Sequence, residues 1–352
     1  MALLAALAPG AFAQGVAHSR LRVTDEITRP DLAGGVLVYR SPGPRGDDLK
    51  ALDLETGTRV LMYDTGSASM SIEAVRAVPG LVAIGLRAKT GRDGLATGVL
   101  AFAAAAPGAR FVTASGFTKS DGDGGAGCGG VLTLEDLAPD GTILTEEAID
   151  PCRRARARAS VIRGYGLDGQ PREIWRLGVT GALRVLENRK RVSLVGSRLL
   201  IWSLASARLV SLPSGSSRVA LPSAPRTVLY QADANPAGRL VAAELTLRRS
   251  RTAARVRSVA RSAPRGGTVL SVSHARLPDA RFCGDSLVVW SLGPDGRQRV
   301  TATRPGLPAA RYRGGARVPE GRIRGFACDS RTYAVISDTG RRRATLDLFR
   351  LP

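Results

Sequence analysis

The stretch Arg198–Leu204, RLLIWSL, returns later in the chain as Ser286–Leu292, SLVVWSL. Weaker copies of this apolar run follow tight turns, so that copies begin near Leu37, Leu81, Val131, Leu199, Leu240, Leu287 and Tyr333. The last full intervals are 41, 47 and 46 residues long. A period of this length, with apolar and polar residues alternating inside each copy, is typical of the blades of a β-propeller.

Strand patterns within the copies indicate how the ring closes. The fourth copy divides into four short strand-like runs, the number that a blade uses, whereas the last copy supplies only three before the chain ends. The segment His18–Thr24 alternates as a strand does and precedes the first full copy. We expect it to complete the last blade, because this pairing removes an exposed sheet edge.

The third copy fits the period least well. Extra residues fall near 117–130 and near 150–160, and we expect the main inserted loops there. The prediction is therefore an all-β fold, a β-propeller of about seven four-stranded blades, with six or eight blades as alternatives. It occupies residues 14–352 as a single domain.

Turns before the repeated strands carry a family resemblance. The segments Asn235–Ala242, NPAGRLVA, and Cys283–Val289, CGDSLVV, resemble the turn-then-strand signature of TolB-like and WD40-like propeller repeats. The Pro-Asp-Gly turn of those families occurs at Pro139–Gly141 and Pro294–Gly296, which by spacing fall at later hairpins. The resemblance implies a propeller fold that binds other molecules across the faces of the ring, and it implies no catalytic residue.

The N-terminus and the cysteines both point to export. Residues 1–13 form an apolar run ending in Ala-x-Ala, which predicts a signal peptide cleaved after Ala13, although the basic residues that usually precede such a run are absent. Four cysteines allow two disulfides. We favour Cys128 with Cys152, and Cys283 with Cys328, since the last two occupy equivalent positions in adjacent copies. The expected location is secreted, periplasmic or in the cell envelope.

The formal charge of +21 is carried almost entirely by arginine, because only four of the 51 basic residues are lysine. Such a charge attracts anionic partners, yet the arginines are spread over most of the chain, as compositional bias would also produce. Candidate contacts for an anionic partner lie in two runs, namely Arg153, Arg154, Arg156 and Arg158, and Arg248, Arg249 and Arg251. No aromatic residues are interleaved with them, which argues against single-stranded nucleic acid.

Three candidate chemistries are weak. Asp121 and Asp123, on a glycine-rich stretch, could offer oxygens to calcium, but the remaining ligands of an EF-hand are not in register. His18 and His274 are the only histidines, and neither accompanies a nucleophile elbow. Acidic residues cluster in the third copy, where a carboxylate-dependent glycoside hydrolase or lyase could place its pair: Glu135, Asp136, Glu146, Glu147 and Asp150.

Trp202 and Trp290 occupy the same place in their copies, and we interpret them as packing between blades, with Trp175 as a third example. The sequence thus predicts a non-catalytic binding or scaffold module, acting as a monomer, that takes no cofactor and recognises a protein or an anionic envelope polymer. The rival interpretations are the extracellular hydrolase or lyase and a nucleic-acid-binding propeller. The ligand itself is not specified by any motif.

Overall fold

The computed structural model describes residues 16–90, 94–103, 110–113, 117–118, 132–149, 159–166, 169–177, 192–212, 217–223, 226–247, 252–260, 263–272, 278–314, 318, 322–340 and 343–351. Within these ranges the chain forms strands and turns, and no helix. Accordingly, nothing among the described residues has the length and apolarity of a membrane-spanning helix.

The strands alternate apolar and polar residues and are separated by tight turns that often contain glycine with a positive φ. In chain order they are β1 (Ala17–Val23), β2 (Thr28–Ala33), β3 (Val36–Gly43), β4 (Gly46–Asp53), β5 (Arg59–Asp64), β6 (Met70–Val78), β7 (Leu81–Thr90), β8 (Gly94–Ala103), β9 (Arg110–Thr113), β10 (Phe117–Thr118), β11 (Leu132–Leu137), β12 (Ile143–Ile149), β13 (Ala159–Tyr165), β14 (Pro171–Leu177), β15 (Val192–Val195), β16 (Arg198–Trp202), β17 (Ser206–Ser211), β18 (Ser217–Pro222), β19 (Thr227–Ala234), β20 (Leu240–Leu247), β21 (Thr252–Ala260), β22 (Ala263–Val272), β23 (Asp279–Cys283), β24 (Ser286–Leu292), β25 (Gln298–Thr303), β26 (Ala310–Gly314), β27 (Ile323–Cys328), β28 (Thr332–Gly340) and β29 (Arg343–Arg350).

These strands form seven antiparallel sheets, which are the blades of a propeller. Blades 1 to 6 are consecutive meanders: β2 to β5, β6 to β10, β11 to β14, β15 to β18, β19 to β22 and β23 to β26. Blade 7 consists of β27, β28 and β29, and β1 pairs antiparallel with β29 as its outermost strand. The seven-bladed, all-β prediction and the N-terminal closing strand are both confirmed.

The first strand of each blade lies toward the axis of the ring. β2 contacts β27 and β6, β11 contacts β6 and β15, and β19 contacts β23. Acidic side chains on these strands accept hydrogen bonds from main-chain N–H groups of the next blade: Asp31 Oδ2 from Ala77 (2.9 Å), Asp136 Oδ2 from Leu194 (3.2 Å) and Asp233 Oδ2 from Phe282 (2.7 Å). Charge-assisted bonds of this kind hold neighbouring blades in register.

Seven apolar clusters fill the spaces between adjacent blades, one at each junction. Trp202 is 4% exposed in the cluster between blades 4 and 5, and Trp290 is fully buried between blades 6 and 7. The predicted packing role of these two rings is confirmed. Trp175 is half-buried and lies against the cluster between blades 3 and 4.

A disulfide joins Cys283, at the end of β23, to Cys328, at the end of β27. Equivalent positions of neighbouring first strands lie side by side around the axis, which is why the repeat spacing predicted this pair. Cys128 and Cys152 lie outside the described residues.

The structure also changes how the third copy aligns. Six of the seven copy starts, such as Leu199 and Leu287, lie in the second strand of a blade, whereas Val131 immediately precedes β11, which is a first strand. Likewise, Pro139–Gly141 lies between β11 and β12, the first hairpin of its blade rather than a later one. The expected insertions near 117–130 and 150–160 fall largely outside the described residues.

Candidate functional site: an arginine surface on blade 6

Many described arginines neutralise buried carboxylates inside the fold. Glu244, on β20, is fully buried and pairs with Arg255 and Arg257 of the neighbouring strand. Asp279 holds Arg281 through two hydrogen bonds of 2.7 and 2.6 Å. Burial alone would lower the pKa of Arg281, but Asp279 raises it above its usual range. Arginines of this kind form ion pairs with buried carboxylates of the fold, and their side chains are 21–31% exposed.

The outer half of blade 6 carries arginines of a different kind. Arg299 lies on β25, and Arg311 and Arg313 lie on β26, and all three are exposed. None of them has a hydrogen bond or ion pair with any described group. We call these three residues the blade 6 arginine triad.

Strand alternation brings the triad onto one face of the sheet. On β25 the neighbours Gln298 and Val300 are buried, so Arg299 between them points outward. The register places Arg299 directly opposite Arg313, and Thr301 opposite Arg311. Side chains directly opposite each other on neighbouring strands have Cβ atoms about 5 Å apart.

Such a pair of like charges destabilises a sheet unless something neutralises it. Arg299 also lies close against the turn that precedes β25, since a Cβ on Gly293 would be 2.6 Å from its Nε and 2.5 Å from Asp295 Oδ1, so the Asp295 carboxylate is nearby although it forms no ion pair with Arg299. A guanidinium presents several N–H donors in a plane and binds carboxylate, sulfate or phosphate groups in pairs of hydrogen bonds. The triad therefore has the chemistry of a surface for a multivalent anion.

The carboxylates suggested for glycoside chemistry have other roles. Glu135, Asp136 and Glu146 are buried. Glu135 Oε2 accepts from the main-chain N–H of Val192 at 3.3 Å, and Glu147 pairs with Arg163 at 3.0 Å. Asp150 lies outside the described residues. Glu135 therefore joins two neighbouring blades, and Glu147 joins two neighbouring strands.

His18 lies on β1, as the alternation predicted, and its ring bonds to Asp347 Oδ1 (2.9 Å) and to the Tyr312 hydroxyl (3.2 Å). The ring also packs against those of Tyr312 and Phe349. These contacts join β1 to blades 6 and 7, so His18 stabilises ring closure. His274 and the calcium candidates Asp121 and Asp123 lie outside the described residues.

The arginine runs singled out in the sequence also lie outside the described residues: Arg153, Arg154, Arg156 and Arg158, and Arg248, Arg249 and Arg251. The blade 6 arginine triad does not form a run of consecutive basic residues, so the arginine runs in the sequence did not predict it. The signal that could have found it was the Arg-x-Arg spacing of Arg311 and Arg313 and of Arg297 and Arg299, which places alternate residues of a strand on one face.

Comparisons with known proteins support the fold alone. No protein-family model matches the chain, and no curated protein matches it. The structure is similar to the Nup133 β-propeller domain of Vanderwaltozyma polyspora (TM-score 0.53, 9% identity, covering 97% of this chain and 99% of that one). It is also similar to an oligogalacturonate lyase in complex with manganese (TM-score 0.52, 13% identity, covering 96% and 97%). A third similar structure is the Pyrococcus horikoshii acylaminoacyl peptidase (TM-score 0.57, 9% identity, covering 92% of this chain and 51% of that one). At these identities enzymes and non-enzymatic propellers share the architecture, and the function of none of them transfers.

Proposed function

We propose that this protein is a non-catalytic binding or scaffold module that holds an acidic protein or an anionic polymer of the cell envelope on its arginine-rich surface. The observation that supports the proposal is the blade 6 arginine triad, three exposed guanidinium groups on one sheet face without a carboxylate partner among the described residues. Their like charges are neutralised when an anion bridges them.

The proposed binding surface also includes arginines that belong to blades 3 and 5. Arg299 and Arg313 lie at the end of blade 6 where the second and third strands are connected, because Gln298 and Gly314 are partners at the strand ends. The run containing Arg153 connects β12 with β13, and the run containing Arg248 connects β20 with β21. In the sequence both runs therefore fall between the second and third strands of their blades, as does the turn before Arg299. We include the seven arginines of these runs in the proposed surface.

Export of the protein is part of the proposal. The apolar N-terminal run and the Cys283–Cys328 disulfide support a secreted or envelope location, since structural disulfides persist in oxidising compartments. An envelope offers carboxylate-, phosphate- or sulfate-bearing polymers at high local concentration, and a protein of formal charge +21 is attracted to them at long range.

The test measures binding of poly-L-glutamate of defined length as a function of salt. The variant replaces Arg299, Arg311 and Arg313 with glutamine. We expect its affinity to fall by about tenfold or more at moderate salt, with a shallower dependence of affinity on salt concentration, because fewer ion pairs form.

The matched control replaces Arg22, Arg208 and Arg350 with glutamine. These are exposed arginines on other blades, so the net charge falls by the same amount. A control variant that loses as much affinity as the triad variant would show that the total charge, and not the blade 6 surface, is responsible. The proposal would then be wrong.

A further inference from the structure

The outer strand of the first blade, β5, presents two neighbouring apolar side chains to solvent. Val60 is 41% exposed and Leu61 is 54% exposed. Leu204 and Leu307 are the other large apolar residues exposed within the described ranges, and each lies alone in a turn between strands. Single exposed apolar residues are common on protein surfaces, whereas two neighbours on a strand that ends a sheet are typical of a site where another strand pairs.

The main chain of β5 can accept another strand. β5 pairs with β4 and is the last strand of its sheet. In the hairpin between them, the N–H of Asp53 donates to the carbonyl of Thr58 (3.0 Å). Hydrogen-bonded and non-bonded pairs alternate along an antiparallel ladder, so Arg59 and Leu61 direct their N–H and C=O groups away from β4. No described main-chain group bonds to those of Leu61 on this outer side.

The outer strands of the other blades have features that oppose such pairing. Proline lacks the N–H that a ladder needs, and charged side chains along an edge disfavour a neighbouring strand. Blade 2 ends in the short strands β9 and β10, and the remaining outer strands contain proline or arginine: Pro171 in β14, Pro222 in β18, Pro264 in β22, Arg311 and Arg313 in β26, and Arg20 and Arg22 in β1. In β5 there is no proline, and its charged residues stand at its two ends.

Those two charged residues, Arg59 and Asp64, lie on the same face of the sheet as Leu61. The register pairs all three with alternate residues of β4, because one residue between Leu61 and Asp64 has no partner. Alternate residues of a strand point to one side, so their partners do too. Arg59 donates to Asp25, and Asp64 lies 3.9 Å from Arg45, yet both side chains remain partly exposed. A positive group therefore stands at one end of Leu61 and a negative group at the other.

The occupant that fits this arrangement is a second copy of the same strand. Two copies of β5 related by a two-fold axis run antiparallel, and an axis at Leu61 places that residue opposite its equivalent. The Arg59 end of each strand then meets the Asp64 end of the other, so the charges are complementary at both ends. We propose that the protein forms a weak homodimer in which the β5 edges of two first blades join into one continuous sheet. The sequence alone predicted a monomer.

The dependence of this association on salt separates it from the proposed anion binding. A formal charge of +21 on each chain opposes the approach of a second copy, and dissolved salt screens that repulsion. Association through β5 should therefore strengthen as salt is added, whereas binding of poly-L-glutamate to the arginine surface should weaken. β5 lies on blade 1 and the triad on blade 6, so either proposal can fail without the other.

Sedimentation velocity of the full chain measures the association. We expect a monomer–dimer equilibrium with a dissociation constant on the order of 100 µM or below in about 0.3 M salt. Leu61→Lys should weaken it about tenfold or more, because two ammonium groups then face each other at the centre of the pair. Leu307→Lys is the matched control, since it makes the same substitution at an exposed leucine of blade 6 and should stay within about twofold of the wild type.

A mixing experiment tests the antiparallel pairing itself. Arg59→Glu and Asp64→Lys each place like charges together at both ends of the pair, so each variant alone should associate about tenfold more weakly. An equimolar mixture of the two variants should regain association close to that of the wild type, because the substituted positions then face each other with opposite charges. Thermal unfolding shows that each variant is folded, and Leu61→Lys tests the same edge without altering either ion pair.

Three results would each overturn the proposal: a chain that stays monomeric at about 200 µM in about 0.3 M salt, an equal loss of association in Leu307→Lys, or a mixture that associates no better than its components. It is also overturned if a chain that stays monomeric binds an unrelated extended peptide, such as a threonine hexapeptide, at β5 as followed by NMR. A strand from a different protein would then be the occupant of this edge.

Discussion

Replacing Asp347 by alanine should open the ring at its closure. Asp347 lies on β29 and is 1% exposed. Its carboxylate accepts hydrogen bonds from Arg20 Nε (2.7 Å), His18 Nε2 (2.9 Å) and Gln298 Nε2 (2.6 Å). Arg20 and His18 belong to β1, and Gln298 belongs to blade 6, so one side chain joins the closing strand to two blades.

The expected loss comes from the groups that the substitution leaves without partners. Arg20 loses its carboxylate partner, and Gln298, which also accepts from Trp290 Nε1, loses the acceptor for its own amide. Removing one member of a buried, hydrogen-bonded ion pair costs about 3–5 kcal/mol, whereas breaking an exposed pair costs about 0–1 kcal/mol. We therefore expect Asp347→Ala to lower the free energy of unfolding by about 3–5 kcal/mol.

Urea unfolding measures the size of the loss, and hydrogen exchange shows where it occurs. Main-chain amides of β1 should lose protection before those of blades 2 to 5, because the side-chain contacts of β1 with Asp347 are gone. Asp338→Asn is the control, since Asp338 forms an exposed pair with Arg324 at 2.8 Å in the same blade. If Asp347→Ala unfolded at the same urea concentration as this control, or if β1 kept its protection, the assigned role of Asp347 would be refuted.

Low pH should weaken the contacts that Asp347 makes with β1 and with blade 6. Burial alone would raise the pKa of Asp347, but hydrogen bonds from Arg20, His18 and Gln298 lower it below its usual range. A carboxyl group with a lowered folded-state pKa contributes stability above the unfolded value of about 4, and this contribution is lost as the pH falls through the folded value. We expect the wild type to lose stability on the acid side more steeply than Asp347→Asn, which has no carboxyl group to protonate at this position.

Three further substitutions test the fold. Serine at both Cys283 and Cys328, which are 45 residues apart, should destabilise the protein by about 2–4 kcal/mol, as measured by urea unfolding under oxidising conditions; an unchanged midpoint would contradict this. Trp290→Ala, at a fully buried ring between blades 6 and 7, should cost about 3–5 kcal/mol, and a loss below about 1 kcal/mol would mean that the ring is not part of the core. Glu244→Gln should cost several kcal/mol by leaving Arg255 and Arg257 without their buried carboxylate, and a neutral result in thermal unfolding would show that solvent satisfies them.

The sequence alone determined the architecture. The recurring apolar run at Leu199 and Leu287, the strand alternation inside each copy and the leftover strand at His18–Thr24 predicted a ring of blades closed by the N-terminus. Cys283 and Cys328 could be paired because a repeat places equivalent residues side by side. These signals are local or periodic, so they can be recognised in the sequence without knowledge of the tertiary structure. Where extra residues interrupt the period, as before Val131, the alignment slipped to a different strand of the blade.

Only the tertiary structure decided which charges are paired. Asp347 meets Arg20 from 327 positions away, and Glu135 meets the main chain of Val192 across a blade junction. The structure also separates arginines that neutralise buried acids, such as Arg257, from those that have no partner among the described residues, such as Arg313. The amino-acid composition does not distinguish the paired arginines from the others. The pairing of a side chain depends on strand register and on the packing of blades distant in sequence, and neither leaves a periodic trace in the chain.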